Sequence, residues 1–328
     1  MSKTFGLDIG SNQVKAIQVL EKDNFFLVTN LAAVEIGSQE LSQAIRAAIK
    51  EAGINPNNEV NLALQESEVF TRIIKTPKLS EAELASSIQY EAEQYIPMAL
   101  SEVELYHQIL PQNMALDEKT IQVLLIAVPK QRVEEITSIL DKAELLPHSI
   151  ETEMFALKRL YGNDKKIQIL LSFGHKTTDM MVLKQNAPLF THSISIGALS
   201  LTKKLMNDLN LAPEQAEAYK RTYGLKKELI EGKVAEVLFP AIDEIIVQIN
   251  KALIFLQQQG LNRQADEVII CGGGSLLPGL SAYLASKLNL EVSVGDPFKN
   301  FIKDERFKKL VTSEVNPQWS TAVGLAIK

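Results

Sequence analysis

Two short strands joined by a glycine turn open the sequence, and the same pattern returns half a chain later. In the first copy an apolar strand, residues 5–9, leads into Gly10 and Ser11 and then into an alternating strand, residues 14–19. The turn glycine of the second copy, Gly174, lies 164 residues after Gly10 in a chain of 328. A repeat at half the chain length predicts two similar halves whose glycine turns face one cleft.

The residues of the first turn indicate what such a cleft would hold. Gly10 has no Cβ, so backbone N–H groups there can approach an anion, and Ser11 adds a hydroxyl donor. Asp8 precedes the turn, and a carboxylate beside a phosphate requires a cation or its bound water between them. The turn therefore predicts a nucleotide with Mg²⁺.

Composition and charge limit the classes of partner. A chain of 328 residues with 46% hydrophobic residues exceeds one usual core, which predicts two domains. A net charge of −6 argues against nucleic acid or anionic membrane as the main partner. No stretch reaches the ~18 apolar residues of a membrane span. The single cysteine, Cys271, fits a reducing compartment, so we expect a cytoplasmic protein without direct membrane insertion.

Periodicity predicts an α/β fold made of alternating strands and helices. We expect a first domain at 1–160, with a small α+β module inserted at about 77–150, and a second domain at 161–328 with a helical subdomain at about 198–260. A helical pattern at 234–259 contains Pro240, which is expected to kink or divide it. The module shows no catalytic pattern, so its exposed face is a candidate binding surface.

A strand at 268–271 ends in a run of three glycines followed by Ser275. The run is not a Walker A loop, because no Gly-Lys-Ser/Thr follows it, and not a dinucleotide fingerprint, because Leu277 stands at the third glycine position. Alone it would predict only a tight turn from strand to helix. Beside the two glycine hairpins it predicts another wall of the same cleft.

Together these elements resemble the actin, Hsp70 and sugar-kinase superfamily. The segments similar to its first phosphate loop, second phosphate loop and adenosine loop are residues 7–11, 172–178 and 270–275. The segments similar to its two connecting helices are residues 151–160 and 320–326. The inserted module resembles one shared by the cell-division protein FtsA and the PilM family of type IV pilus assembly proteins, with 91–97, 153–157 and 216–221 similar to PilM in particular. The resemblance implies an actin-like two-domain fold with duplicated RNase H-like halves.

The resemblance also implies a site for ATP or ADP with Mg²⁺, built from both halves. Its phosphate contacts would come from Gly10, Ser11, Lys15, Gly174, Thr177 and Thr178. Its contacts to ribose, base and adenosine would come from Glu217, Lys220, Gly273, Gly274 and Ser275. Asp8 would lie near Mg²⁺, through a water molecule. On spacing alone, Glu217 and Lys220 could equally form a solvated i, i+3 pair.

One departure from the family pattern concerns catalysis. Ser172 stands where the second phosphate loop usually carries an aspartate, so one of two carboxylates that organise metal and water is missing. Glu153 is the candidate catalytic residue that would orient a water, although Met154 replaces its usual proline neighbour. We predict that ATP binds and that its turnover is slower than about one per second.

By resemblance, the protein would be a cytoplasmic ATP-binding scaffold of the pilus assembly machine. It would bind the N-terminal cytoplasmic tail of a PilN-like inner-membrane protein, contact other assembly components and possess a capacity for self-association. An FtsA-like filament protein is the first alternative, disfavoured because Lys328 follows the second connecting helix without an amphipathic membrane helix. A small-molecule kinase is the second, and it would need a polar substrate pocket in the first half. A related secretion system stays open beside a pilus.

Overall fold

The computed structural model describes residues 4–79, 81–110, 119–258, 265–311 and 313–328. Its strands are β1 Thr4–Ile9, β2 Gln13–Lys22, β3 Phe25–Glu35, β4 Glu59–Leu64, β5 Phe70–Pro77, β6 Val103–Ile109, β7 Thr120–Pro129, β8 Pro147–Thr152, β9 Ile167–Phe173, β10 Thr178–Lys184, β11 Ala187–Ile194, β12 Glu267–Cys271 and β13 Glu291–Val294. Its α-helices are α1 Leu41–Ala52, α2 Glu81–Tyr95, α3 Lys130–Lys142, α4 Glu153–Tyr161, α5 Ala198–Leu209, α6 Pro213–Tyr223, α7 Lys233–Gln258, α8 Leu280–Leu288, α9 Glu305–Leu310 and α10 Ser320–Ala326.

Two five-stranded sheets repeat one topology. The first has the order β3-β2-β1-β4-β8 and the second the order β11-β10-β9-β12-β13. In each, an antiparallel hairpin is followed by strands that run parallel to its first strand. The predicted α/β fold with duplicated halves is therefore confirmed.

The two glycine turns have the same backbone geometry. The Gly10 N–H donates to Gln13 O at 3.0 Å, and the Gly174 N–H donates to Thr177 O at 2.9 Å. A Cβ on Gly10 would lie 3.1 Å from Gln13 O, and one on Gly174 3.0 Å from Thr177 O, so both turns are tight enough to favour glycine. Each turn ends the first strand of its sheet at the edge that faces the other half.

Each sheet is covered by apolar helices on one face. In the first half, α1 and α3 share a buried cluster with β1 and β4 that includes Ile45, Ile49, Ile136 and Leu140. In the second half, α7 supplies one continuous buried stripe, for example Leu238, Ile242, Ile245 and Ile249. Pro240 lies inside α7 and does not divide it, because the helix is packed on both sides of the proline.

The small module is a three-stranded antiparallel sheet with the order β5-β7-β6, covered by α2. Its boundaries differ from the expected 77–150, because β5 begins at Phe70 and α3 packs into the first-domain core instead. Residues 151 and 152 complete β8, so the connecting helix α4 begins at Glu153 and not at 151. The sequence analysis did not predict β8, β13 or α9, which are short and largely exposed or lack a clear period.

The two connecting helices, α4 and α10, cross in close contact beneath the cleft. A Cβ on Gly324 of α10 would lie 2.3 Å from Ala156 O of α4, and a Cβ on Gly6 of β1 would lie 2.3 Å from Ala322 O. Only glycine permits this approach of backbone to backbone. The crossing fixes α4, and hence Glu153 in its first turn, between the two glycine turns.

Candidate functional site

The first turn carries a partly buried ion pair. Lys15 Nζ lies 3.0 Å from Asp8 Oδ2, with their side chains only 11% and 14% exposed. The two residues face each other across the hairpin of β1 and β2, since they are direct partners in its register. Lys15 therefore holds its ammonium group beside the Gly10–Ser11 turn and satisfies one oxygen of Asp8.

Both threonine hydroxyls of the second turn are used in hydrogen bonds within the second domain. Thr177 Oγ1 donates to Asp179 Oδ2 at 2.8 Å, and Thr178 Oγ1 donates to Ile196 O at 2.6 Å. Thr178 is fully buried. The structure thus does not present the Thr178 side chain to a phosphate, as the resemblance implied, because its hydroxyl is used inside the domain.

The loop after the second turn is anchored on α5. The first N–H groups of that helix, at Ala198 and Leu199, donate to Gly174 O and His175 O at 3.0 and 2.9 Å. Burial and the nearby charge of Lys220 lower the pKa of His175, so its imidazole is neutral at neutral pH. The loop is therefore held rigidly against the helical part of the second domain.

Glu217 and Lys220 form the centre of a hydrogen-bonded network on α6. Lys220 Nζ donates to Glu217 Oε2 at 2.6 Å, to Thr202 Oγ1 at 2.8 Å and to Ala198 O at 3.1 Å. Burial opposes ionisation of Glu217, but hydrogen bonds from Lys220, Arg221 and Thr202 outweigh it and lower its pKa to about 2. Lys220 is only 7% exposed, so the alternative of a solvated surface pair is wrong for it.

The three glycines of the third loop have different roles. Gly272 has a φ of +78°, and a Cβ on Gly274 would lie 2.5 Å from the Phe173 ring, so the fold itself favours glycine at both. A Cβ on Gly273 would meet nothing within 4 Å. The Ser275 hydroxyl donates to Gly272 O at 2.7 Å and closes the turn. Gly273 is thus the position where an added side chain would project into open space.

Glu153 lies close enough to three carboxyl groups of other elements to feel their charge, and these four residues form the carboxylate cluster: Asp8, Glu66, Glu153 and Asp179. Burial raises the pKa of Glu153 well above its usual range, and the charge of Asp179 and its hydrogen bond raise it further. Burial also raises the pKa of Glu66. Asp179 Oδ1 and Glu66 Oε2 are buried and find no hydrogen-bond partner among the described residues. Lys15 offsets the charge of Asp8, but within the described ranges no cation forms an ion pair with Asp179, Glu153 or Glu66, so the repulsion among those three is not relieved.

Sequence reasoning missed Asp179 and Glu66. Asp179 stands opposite Ser172 on the neighbouring strand, just as Lys15 stands opposite Asp8 in the first half. The signal was present, because Asp179 lies 164 residues after Lys15, the same spacing as the glycines. Glu66 lies in a 3₁₀ turn after β4, where no periodic pattern marks it.

The donor set fits Mg²⁺ held mainly by a nucleotide. Within the described ranges, no three His, Cys, Asp or Glu residues are grouped so that they alone could hold a metal ion. Mg²⁺ usually keeps several waters and takes one or two protein carboxylates beside the phosphates. Asp8 and Asp179, one on each turn, satisfy that requirement, and the free oxygen of Asp179 would gain a partner.

Beside the inserted module, a smaller cleft of about 290 Å³ opens where the first domain, the module and the second domain meet. The apolar part of its lining comes from Val69, Phe70, Ala92, Ile96 and Leu125. The Arg72 guanidinium lies 4.4 Å from the centroid of the Tyr95 ring at its rim. None of the helices in the described part of the chain is long and apolar enough to cross a bilayer.

Duplicated sheets with a glycine turn in each and a carboxylate cluster between them define a protein of the actin-like class. The fold is similar to that of MreB5 of Spiroplasma citri bound to AMPPNP, with a TM-score of 0.53 at 13% identity, covering 99% of this chain and 95% of that one. It is more similar to the PilM–PilN type IV pilus biogenesis complex, with a TM-score of 0.82 at 23% identity, covering 99% and 98%.

The sequence model of the family described as type IV pilus assembly protein PilM matches residues 6–328. The chain therefore belongs to the PilM family, as its resemblance predicted. It is also 26% identical over 180 residues to the cell division protein FtsA of Borreliella burgdorferi. That match covers 48% of this chain and 42% of that protein, so the chain spans less than half the length of this relative.

Proposed function

We propose that the protein is a cytoplasmic, ATP-binding scaffold of a type IV pilus assembly machine, which binds the cytoplasmic tail of a PilN-like inner-membrane protein. The observation that carries the nucleotide part is the unpartnered, buried Asp179 Oδ1 between two matching glycine turns. The scaffold part is supported by the family match over nearly the whole chain, whereas the FtsA match covers about half of it. An FtsA-like filament protein is therefore the weaker alternative.

In this proposal the two halves bind opposite parts of the nucleotide. Gly10, Ser11 and Lys15 would bind phosphates from one side, and the Gly174 turn from the other. Glu217 and Lys220 would contact the ribose and base, and the open face of Gly273 would lie under the adenosine. Asp179 and, through water, Asp8 would hold Mg²⁺, which would supply positive charge beside the phosphates.

The same geometry supports slow hydrolysis. A general base must be ionised to accept a proton from water, and burial together with the charge of Asp179 raises the pKa of Glu153 and so disfavours its ionised form. Ser172 supplies no second carboxylate on β9. We expect steady-state turnover below about one per second, against enzymes that commonly reach 1–10³ per second.

The test of nucleotide binding is a calorimetric titration with magnesium-ATP. The parent should bind, and Gly273→Asp should not, because the new carboxylate would occupy the open space where the adenosine is placed. The matched control is Asn57→Asp, which makes the same charge change at an exposed residue shortly before β4, at the end of the sheet opposite the turns. Equal binding by the Gly273→Asp protein, or none by the parent, would refute the proposed site.

For the PilN-like tail we propose the smaller cleft, because it lies beside the module, contacts all three units and combines apolar with polar lining residues. Ser67 is an exposed residue of its lining, so Ser67→Arg would fill the cleft without disturbing a core. A labelled synthetic tail of the PilN-like protein from the same organism should bind the parent and lose at least tenfold in affinity with this variant.

Asn57→Arg, at an exposed residue outside the cleft, is the control for that titration, and a scrambled tail peptide tests sequence dependence. If the tail binds the Ser67→Arg protein as tightly as it binds the parent, the tail site does not lie in the smaller cleft. Failure of this test leaves the magnesium-ATP titration unaffected, so the two parts of the proposal are judged separately.

A further inference from the structure

A second, larger cleft of about 670 Å³ lies between the module and the second domain. One wall is β5, from Thr71 to Lys75, and the other is formed by β10, β11 and α7. Its volume falls in the range of ~300–1,000 Å³ typical of ligand sites. It meets the smaller cleft at Thr71, Arg72, Thr191 and His192, but neither the nucleotide nor the proposed tail accounts for it.

The charge of this cleft is opposite to that of the whole chain. Among the described residues that line it, none is acidic, and the basic ones are Arg72, Lys75, Lys184, His192 and Lys251. The protein as a whole carries a net charge of −6. A concave surface of one sign, set in a protein of the other sign, concentrates ligands of complementary charge.

Three of these cations are free to receive a carboxylate. Within the described ranges, Arg72, Lys184 and Lys251 form no ion pair with an acidic side chain. Lys251 Nζ reaches only Gln248 Oε1, at 3.4 Å, and Arg72 lies over the Tyr95 ring. Burial and the charge of Lys251 lower the pKa of His192, so the imidazole adds no positive charge at neutral pH.

The wall formed by β5 is an outer edge of its sheet. Among the described residues, β5 forms strand pairs only with β7 in the three-stranded sheet. No proline interrupts it between Thr71 and Lys75, so every residue there has a backbone N–H, whereas the β11 wall contains Pro188. An extended peptide binds such an edge by adding one strand through backbone hydrogen bonds. Five residues of edge span about 16 Å at ~3.3 Å per residue.

The opposite wall offers apolar contact. Phe190 and Phe255 pack with ring centroids 5.6 Å apart, and both line the cleft with Leu124 and Leu189. A strand added to β5 presents alternate side chains to opposite sides. Apolar side chains of such a segment would meet the two phenylalanines, and acidic ones would reach the lysines at the rim.

We propose that the larger cleft is a docking site for an extended, acidic segment of a partner protein, which pairs with the edge of β5 and places carboxylates beside Arg72, Lys184 and Lys251. The proposal does not depend on nucleotide binding. The acidic segment in the larger cleft is a different ligand from the PilN-like tail that we place in the smaller cleft.

The test is a selection from a displayed library of random octapeptides. The library is selected on the parent protein and counter-selected on the double variant Lys184→Glu/Lys251→Glu. Enriched peptides should contain at least two Asp or Glu residues alternating with apolar ones. By fluorescence anisotropy, the best peptide should lose at least tenfold in affinity with the double variant, and raising the salt from 50 to 200 mM should weaken it.

Two controls separate charge from edge pairing. Lys22→Glu/Lys130→Glu makes the same charge change at exposed lysines outside the cleft and should alter the affinity less than twofold. The same peptide with N-methyl groups on alternate backbone nitrogens should lose at least tenfold if it pairs with β5. Magnesium-ATP and tail titrations, together with the melting temperature, should be unchanged in the Lys184→Glu/Lys251→Glu protein.

Three outcomes would overturn the proposal. They are the absence of peptides enriched by the parent over the double variant, enrichment of basic or uncharged peptides, and an equal loss of affinity with the control pair. Retained affinity after N-methylation would overturn the strand-pairing part.

Discussion

Glu151, near the end of β8, and Glu153, the first residue of α4, stand two residues apart and have opposite pKa shifts. Hydrogen bonds from Arg159 and Lys328 outweigh burial and lower the pKa of Glu151. Burial and the charge of Asp179 raise the pKa of Glu153. The difference in pKa arises from the neighbouring charges. The Glu151 carboxylate contacts cations, whereas the Glu153 carboxyl group lies beside other carboxylates.

We predict that Glu153→Gln stabilises the protein without ligand at pH 8. Because the folded-state pKa of Glu153 lies above the ordinary value of 4.5, its ionisation costs stability as the pH rises beyond that value. Glutamine removes this cost, so the gain should be largest at pH 8, vanish near pH 4 and stay within the ~1–3 kcal/mol of a buried unsatisfied polar group. Thermal unfolding across this pH range measures it.

Glu151→Gln is the matched control for that experiment, with the opposite sign. A lowered pKa contributes stability that is present above about pH 4.5 and is lost as the pH falls. The Glu151→Gln protein should therefore be less stable than the parent at pH 8 and equal to it near pH 3. If both variants shift stability in the same direction, the carboxylate cluster does not carry the repulsion described above.

At this scale the sequence predicted residues that follow glycine turns and missed those brought in by the fold. The local hairpin pattern was sufficient to predict Gly10, Lys15 and Gly174 as site residues, because a hairpin determines which residues flank its turn. Prediction of Asp179 as a site residue required the register between β9 and β10. Prediction of Glu66 required the tertiary approach of a 3₁₀ turn to β11. The inward hydroxyl of Thr178 also depends on a distant acceptor, Ile196 O.

The crossing of α4 and α10 is the element-scale feature that aligns the site. Gly324→Ala would place a Cβ 2.3 Å from Ala156 O, which requires the helices to separate. We predict a loss of about 1–3 kcal/mol, the usual cost of overpacking. Thermal unfolding measures the loss, and calorimetry should show weaker magnesium-ATP binding, because α4 holds Glu153 between the turns.

Ser286→Ala, an exposed change on α8, is the control for the crossing and should stay within about 0.5 kcal/mol of the parent. If the Gly324→Ala protein has the same melting temperature as the parent, the helices can separate without loss of stability. In that case the alignment of the site must come from the sheets alone.

Elements with a strong period were predictable, and those stabilised only by their neighbours were not. The helical pattern at 234–259 corresponds closely to α7, Lys233–Gln258, since its apolar residues form one continuous buried stripe. Strands β8 and β13 are sheet edges with mostly exposed side chains, so pairing with β4 and β12 defines them. The covering role of α3 was also missed, because an apolar face does not tell which sheet it covers.

For the whole molecule, we predict that magnesium-ATP raises the apparent melting temperature. A ligand at 100 times its Kd stabilises the folded state by about 2.7 kcal/mol if it does not bind the unfolded chain. Part of that gain should require Mg²⁺, because the cation would relieve the repulsion around Asp179. Differential scanning fluorimetry with ATP, in magnesium or in EDTA, separates the two parts.

Asp179→Asn should lose the part of the stabilisation that depends on Mg²⁺, while Asp164→Asn, an exposed change of the same kind, should keep it. If the Asp179→Asn protein shows a magnesium-dependent gain of equal size, Asp179 does not take part in the site.

The two-domain architecture itself was predictable, because a half-length repeat and its glycine turns encode it. The clefts beside the module were not, since they depend on how three units meet.

The last two helices of the chain and the segments beside them cover a face of its first domain. Phe298, Phe301 and Trp319 share one buried cluster with Ile17 of β2 and Val28 of β3. Roughly 280 residues separate the two parts of this cluster, so on a ribosome adding about 5–20 residues per second they are made about 15–60 seconds apart. During that time the outer face of the first sheet is exposed to solvent. We therefore expect chaperones to bind the nascent chain of this protein.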